Sequence, residues 1–163
     1  MTKSDDLIVR RGEERDAETI AQFNSAMALA TEGKRLIPEI IGAGVRRLIE
    51  SPQLGFYGVA ESDKQVVGCL MVTQEWSDWR NGLFWWIQSV YVEPPWRRRG
   101  VYRRLYEFVR QQAAAQGGVC GFRLYVEKDN ADAQATYRAL GMEETDYLMY
   151  EALQPGVRYF TRS

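Results

Sequence analysis

The sequence contains no histidine. That absence removes Ser-His-Asp and Cys-His catalysis in their usual forms, together with any His-ligated metal centre. Catalytic proton transfer then falls to Tyr, Glu, Asp, Cys, Lys, the backbone or water. Cysteine is scarce as well: Cys69 and Cys120 stand far apart and form no Cys-x-x-Cys pair. No zinc site and no redox motif are expected, and each cysteine, set in an apolar strand-like run, reads as a small buried hydrophobe. No uninterrupted apolar run is long enough to span a bilayer, and the polar stretch 1–6 lacks the apolar core of a secretory signal. A reduced, cytoplasmic setting without a membrane partner is the expectation. Charge is nearly balanced at a formal net −1, so no overall field favours nucleic acid or an acidic membrane.

What is present suits one compact domain over 1–163, and a hydrophobic fraction of 45% is enough to build its core. Residues 7–11 read as a short strand. An acidic first turn at Asp16 then leads into a helix with Ile20, Phe23 and Met27 at helical spacing. A second helix is predicted over 38–50, with Ile41, Val45, Leu48 and Ile49 on its apolar face and Ser51-Pro52 as its stop. Strands come next at 55–61 and 65–75, joined by Ser62-Asp63-Lys64, and a third long strand covers 83–93. Val101, Leu105, Phe108 and Val109 define another helix, ending near Gly117-Gly118. A strand at 119–127, a short helix at 131–140 and a strand at 144–153 complete the pattern, with some strand propensity in 157–161. The order is β-α-α-β-β-β-α-β-α-β, a mixed α/β fold without linker, repeat or low-complexity segment.

The most informative run is Val90-Tyr91-Val92-Glu93-Pro94-Pro95-Trp96-Arg97-Arg98-Arg99-Gly100-Val101-Tyr102. A strand ends at prolines, a basic turn comes after it, and a helix starts at or near Gly100. A helix N-terminus presents unpaired N–H groups and partial positive charge, which together make an anion site. Gly100 lets the backbone approach a ligand closely, and the arginines offer bidentate hydrogen bonds to phosphate oxygens. The run therefore suits a pyrophosphate; the plainer alternative is a solvated basic turn before an ordinary helix. Arg103, Arg104 and Arg110 extend the positive cluster. A nucleic-acid partner is nevertheless not expected, given the net charge and the lack of an aromatic-interleaved basic surface. A second run, Asn130 to Met142, has Asn130 as N-cap, Ala133 and Tyr137 on one face, and Gly141 as the stop.

Arg97-Arg98-Arg99-Gly100-Val101-Tyr102 resembles the acetyl-CoA signature (Q/R)xxGx(G/A) of the GNAT superfamily, with Tyr102 departing from the usual small residue. The Asn130 helix is similar to that superfamily's N-x-x-A-x-x-x-Y-x-x-x-G-(F/M) element, and the two motifs occur in the expected order. The resemblance covers roughly 7–152 and extends to the diamine and polyamine acetyltransferase branch. It implies a mainly antiparallel central sheet with splayed middle strands and flanking helices. It implies acetyl-CoA as the cofactor, held by Ser89, Val90, Tyr91 and Val92 on the strand and by Arg97, Arg98, Arg99, Gly100, Val101 and Tyr102 at the turn. Asn130 and Ala133 would accommodate the pantetheine arm, and Tyr137 would direct its hydroxyl to the sulfur. A homodimer is the expectation carried by the superfamily and the strand-like tail.

Amine acetylation needs a neutral amine, yet an amine of pKa about 10.4 is neutral only about once in a few thousand molecules at pH 7. A base, direct or through water, must take a proton. The Val90 N–H or a neighbour would stabilise charge on the thioester oxygen, and Tyr137 would protonate the leaving thiolate. Some polyamine-type relatives carry Glu where this chain has Gln88, which cannot be a base. Glu75, through a water chain, is the substitute, and Glu32 is a candidate for the acceptor channel. Four of the five tryptophans lie between 76 and 86. Trp76, Asp78 and Trp79, with Gln88, would form an aromatic and acidic lip for a small cationic amine, or the tryptophans pack a sheet face or a dimer interface. Trp85 and Trp86 are adjacent and point to opposite faces. The alternative to an enzyme is a GNAT-like module that holds an acyl-CoA without turnover.

Overall fold

A computed structural model describes residues 6–162; residues 1–5 of the polar N-terminal stretch and Ser163 lie outside the described residues. Two compact units are present, Met1–Leu124 with Tyr159–Ser163, and Tyr125–Arg158. Each is described by itself.

The first unit is built on a five-stranded mixed sheet in the order β1-β3-β4-β5-β6. Its strands are β1 (Ile8–Arg11), β3 (Gly55–Ser62), β4 (Gln65–Ser77), β5 (Gly82–Val92) and β6 (Val119–Arg123). All pairs are antiparallel except β5–β6. Asp63 and Lys64, at φ 48° and 64°, close the β3–β4 hairpin. Two left-handed central residues give a turn whose twist matches that of the flanking strands.

On one face lie α1 (Ala17–Glu32) and α2 (Pro38–Glu50). Ile20, Phe23, Val45 and Leu48 from these helices pack on Tyr57, Val59 and Cys69 of the sheet. Pro38 starts α2, where a missing N–H is harmless. On the other face lies α3 (Val101–Gln116). A methyl group added at Gly58 would meet Phe108 and Leu105 at 3.7 and 3.8 Å, and one at Gly68 would meet Val101 at 3.2 Å. Adjacent Trp85 and Trp86 divide between the faces as strand alternation requires, Trp85 fully buried and Trp86 partly so.

Arg10 ties β1 to the start of α1. It donates to both oxygens of Asp16 at 2.8 and 2.9 Å and to Glu61 of β3 at 2.8 Å. Asp16 also accepts the Glu13 backbone N–H at 2.7 Å. Burial opposes ionisation of Asp16, yet the hydrogen bonds from Arg10 and Glu13 outweigh it and hold the carboxyl below its ordinary value.

Three features differ from the sequence-based expectation. A two-residue strand β2 (Arg35–Leu36) pairs with β7 (Phe160–Thr161), a ribbon too short to show a period in sequence. Lys34 beside it donates to the Tyr159 hydroxyl at 3.1 Å and lies 5.0 Å from the Phe160 ring centroid. Cys69 is buried as expected, but Cys120 is exposed on β6, the last strand of the sheet. The second unit contains the helix α4 (Ala131–Ala139), while 144–153 forms no ladder within that unit. A strand requires a neighbour for its backbone groups, and this unit taken alone supplies none. No helix among the described residues is long and apolar enough to cross a membrane.

The Asp16 network predicts a pH-dependent stability. A carboxyl held low in the folded state stabilises the fold above its ordinary pKa of about 3.9, and that contribution is lost as pH falls through the folded value. Asp16→Asn is expected to lose about 3 kcal/mol in urea denaturation at pH 7. The gap from the parent protein should close as the pH is lowered below about 4.

Candidate functional site

Strand β5 changes character halfway along. Met71 of β4 pairs with Gln88, but Cys69 pairs with Tyr91, so two steps on β4 oppose three on β5. Ser89 and Val90 together face Leu70 as a bulge, and Ser89 adopts a left-handed φ of 52°. The extra residue reverses the facing of the rest of the strand. Tyr91 now packs on Phe23 of α1, ring centroids 4.7 Å apart, while Val92 pairs with Gly68 on the α3 side. The Cys69 thiol lies 3.9 Å from the Ser89 carbonyl beneath the bulge, and burial pushes its pKa up to about 12. It is packing material rather than a nucleophile.

The ladder to β6 ends at Trp86↔Arg123, whereas pairing with β4 continues to Val92. From Ile87 to Val92, therefore, β5 has no β6 ladder among the described residues. Apart from the Val92 carbonyl, which Arg97 engages, its peptide groups on that side carry no ladder partner and suit an extended, amide-bearing ligand.

Beyond Val92 the chain turns through Pro94–Trp96 and reaches α3. Glu93 donates its N–H to the Val67 carbonyl at 2.9 Å, which anchors the turn to β4. Arg98 and Gly100 are both left-handed, at φ 60° and 77°. Gly100 is the N-cap of α3, and no side chain caps the helix. A Cβ added at Gly100 would find nothing within 4 Å. The first N–H groups of α3 thus have neither an intrahelical acceptor nor a side-chain cap, the condition for an anion site. Tyr102, where a small residue was expected, lies parallel to Tyr106 with centroids 6.3 Å apart, so its ring runs along α3.

The arginines divide their work. Arg97 donates Nε–H to the Val92 carbonyl at 2.8 Å, with its guanidinium 5.6 Å from the Tyr91 ring centroid. Arg99 lies 4.5 Å over the Trp96 ring and reaches the Pro95 carbonyl at 3.5 Å. Both hold the turn in shape, which the sequence pattern did not reveal. Arg98 is exposed, with no polar partner among the described residues.

The side chains of Thr73, Glu75, Trp86 and Gln88 share the sheet face of α1 and α2. Thr73 donates its hydroxyl to Gln88 Oε1 at 3.3 Å. Glu75 is ion-paired to Arg123, whose guanidinium also lies 3.6 Å from the Phe84 ring centroid. Along β4, Glu75 is five residues from the bulge, roughly 16 Å. Trp76, Asp78 and Trp79 are further away, at the β4–β5 hairpin tip. Trp79 is 87% exposed and Trp76 60%, while Asp78 caps its own turn by accepting the Trp79 N–H at 2.9 Å. From Val90 to Gly82 is eight residues, roughly 26 Å of strand. The tip and the bulge are not brought together. Glu32 is exposed at the end of α1, beside Lys34.

In the second unit, Asn130 accepts the Ala133 N–H at 3.1 Å and caps α4. Met142 and Gly141 donate N–H to the carbonyls of Tyr137 and Arg138, both at 3.0 Å. With Gly141 at φ 90°, this is a Schellman stop. Ala133 and Tyr137 share a face of α4 and are both half-buried. Burial raises the pKa of the Tyr137 hydroxyl, which keeps it protonated at neutral pH and suits it to donate a proton.

Comparison with known proteins bears on the fold and the family. The model of the acetyltransferase (GNAT) family matches residues 19–142, a stretch that runs through both units. No curated protein matches the chain in sequence. A possible acetyltransferase of known structure from Clostridium difficile 630 is 42% identical; the match covers 91% of this chain and 97% of that one, with a TM-score of 0.84. The aminoglycoside N-acetyltransferase AAC(6')-Iy in complex with CoA is 16% identical, over 91% of this chain and 95% of its own, with a TM-score of 0.73. An aminoglycoside acetyltransferase from an uncultured soil metagenomic sample, meta-AAC0020 in complex with sisomicin, is 19% identical, over 91% and 97%, with a TM-score of 0.75. At such identities the last two show a shared fold.

The left-handed geometry at Gly100 has a measurable consequence. Gly100→Ala should lose about 1 kcal/mol in urea denaturation from backbone strain, without the larger loss that a clash would add.

Proposed function

The chain belongs to the GNAT acetyltransferase family, and from that premise we propose that it transfers the acetyl group of acetyl-CoA to a primary amine by direct attack in a ternary complex. The observation that carries the proposal is the continuous path from the bulge at Ser89–Val90, along the open edge of β5, to the uncapped start of α3 at Gly100. The same segment offers peptide groups to an amide-bearing arm and N–H groups to a diphosphate.

In this reading the N–H groups of Val101 and Tyr102 grip phosphate oxygens, and Arg98 adds charge. Arg97 and Arg99 keep the turn shaped and contribute their remaining N–H groups. Val90 and Val92 pair with the arm through their main chain, flanked by Ser89 and Tyr91, while Asn130 holds the arm and small Ala133 leaves it room. Bound acetyl-CoA supplies a thioester whose C–S bond breaks as the C–N bond to the amine forms. The Val90 N–H faces the oxygen on which charge develops. Tyr137 gives its proton to the departing sulfur, and the proton lost by the amine passes through water toward Glu75. Ion-paired and distant from the bulge, Glu75 serves only at the end of such a relay.

The narrower diamine and polyamine branch draws no support from the comparisons. Two fold neighbours act on aminoglycosides, which supports an amine on a small molecule as the acceptor. A cytoplasmic setting and a homodimer belong to the same proposal, the first supported by the unlinked cysteines Cys69 and Cys120. One pair of observations favours a second reading: Gln88 cannot be a base, and Glu75 is engaged by Arg123. A module that holds acyl-CoA without turnover would tolerate both.

An amine-panel assay of thiol release separates the readings. The parent protein should release CoA with at least one amine; tight acetyl-CoA binding with no release from any amine supports the second reading. Gly100→Glu sets a carboxylate against phosphate and should abolish acetyl-CoA binding in calorimetry. Retained affinity would remove the turn from the site. Tyr137→Phe should lower kcat by about tenfold to a hundredfold, the scale of general acid catalysis, with little change in acetyl-CoA affinity.

A further inference from the structure

Gln88 occupies the last regular position of β5 before the bulge, and its side chain lies on the α1/α2 face. A carboxamide has one accepting end and one donating end, and its orientation decides which of them a ligand meets. Here the Thr73 hydroxyl donates to Gln88 Oε1 at 3.3 Å. Thr73 stands directly across from Trp86 and diagonally from Gln88, within the reach of cross-strand neighbours. One of the two acceptor positions of Gln88 Oε1 is thereby used, and Nε2 is turned away from Thr73. This Nε2, with two N–H groups, has no protein partner among the described residues, and it is not among the sealed polar atoms.

Charge on the same face points the same way. Of Thr73, Glu75, Trp86 and Gln88, only Glu75 is anionic, and it is engaged by Arg123. A second ammonium group on the acceptor would meet N–H groups at Gln88 and find no unengaged carboxylate among these four residues. A hydroxyl or carbonyl oxygen on the acceptor would instead receive a hydrogen bond from Nε2. Val90, the proposed oxyanion donor, is two residues from Gln88, about 7 Å along the strand. An oxygen bound at Gln88 would therefore sit a few bonds from the attacking nitrogen.

We propose that Gln88, oriented by Thr73, is a specificity-determining residue that selects amines carrying a nearby hydroxyl or carbonyl oxygen over alkyl diamines and polyamines. This inference rests on the acetyl-transfer reading and adds to it the class of acceptor.

The test uses the full chain, acetyl-CoA and three acceptors of one length: aminopropanol, butylamine and diaminopropane, which end in a hydroxyl, a methyl and an ammonium group. The parent protein should show a kcat/KM for aminopropanol about tenfold above the other two, the scale of one well-placed hydrogen bond. Gln88→Leu should level the three. Gln88→Glu should invert the order in favour of diaminopropane, because a carboxylate accepts where the amide donated. Thr73→Val, close in shape but without the hydroxyl, should reduce the preference through loss of orientation, with acetyl-CoA affinity in calorimetry unchanged. A parent preference for diaminopropane, or a Gln88→Leu variant that keeps the parent order, overturns the assignment of Gln88 and leaves acetyl transfer standing. Release of CoA with none of the three acceptors or of the wider amine panel overturns acetyl transfer, and this inference with it.

Discussion

A single extra residue in β5 governs the rest of the site. Straight strands would keep pairing to their ends, and their side chains would alternate without interruption. With Ser89 in a left-handed conformation, β5 stays paired with β4 while its other edge has left β6. An L-residue in that region costs about 1–2 kcal/mol. Contacts made possible by the reversed facing offset it: Tyr91 against Phe23 on one side, and Val92 beside Gly68 and Val101 on the other. The bulge is held by the two packed faces of the sheet.

The turn after β5 shows how a charged motif divides between structure and recognition. Three consecutive arginines suggest three phosphate ligands. Two of them satisfy carbonyl groups of their own turn and stack on neighbouring rings, Arg97 on Tyr91 and Arg99 on Trp96. In the proposed function, anion recognition falls chiefly to the backbone at the start of α3, where no side chain competes as a cap. This is a rigid arrangement, because backbone N–H groups lose little freedom when a ligand binds.

Tryptophans near a carboxylate in sequence suggested an aromatic lip for a cation. In three dimensions the hairpin tip carries Trp79 and Asp78 some 26 Å of strand from the bulge, by roughly 3.3 Å per residue, with Trp79 almost fully in solvent. The face beside the bulge instead carries Gln88, hydrogen-bonded to Thr73, while Glu75 lies further along the strand in an ion pair with Arg123. A short distance in sequence along an extended strand is a long distance in space.

Much of the fold was legible in the chain itself. The apolar spacing of Val45 and Leu48 and the Pro38 start placed α2 at its observed bounds, and Asn130 and Gly141 marked the ends of α4. Each signal is local: a period, a cap or a stop acts within a few residues of itself. The order of the two motifs likewise pointed to the family. Tertiary structure alone decided the left-handed Ser89, the Arg97 link to Val92, the Thr73 partner of Gln88 and the Arg123 partner of Glu75. Local sequence carries no mark for a serine forced into glycine's region by packing. Nor does it show which of many threonines or arginines will arrive opposite a given side chain, because strand register and sheet order set those meetings.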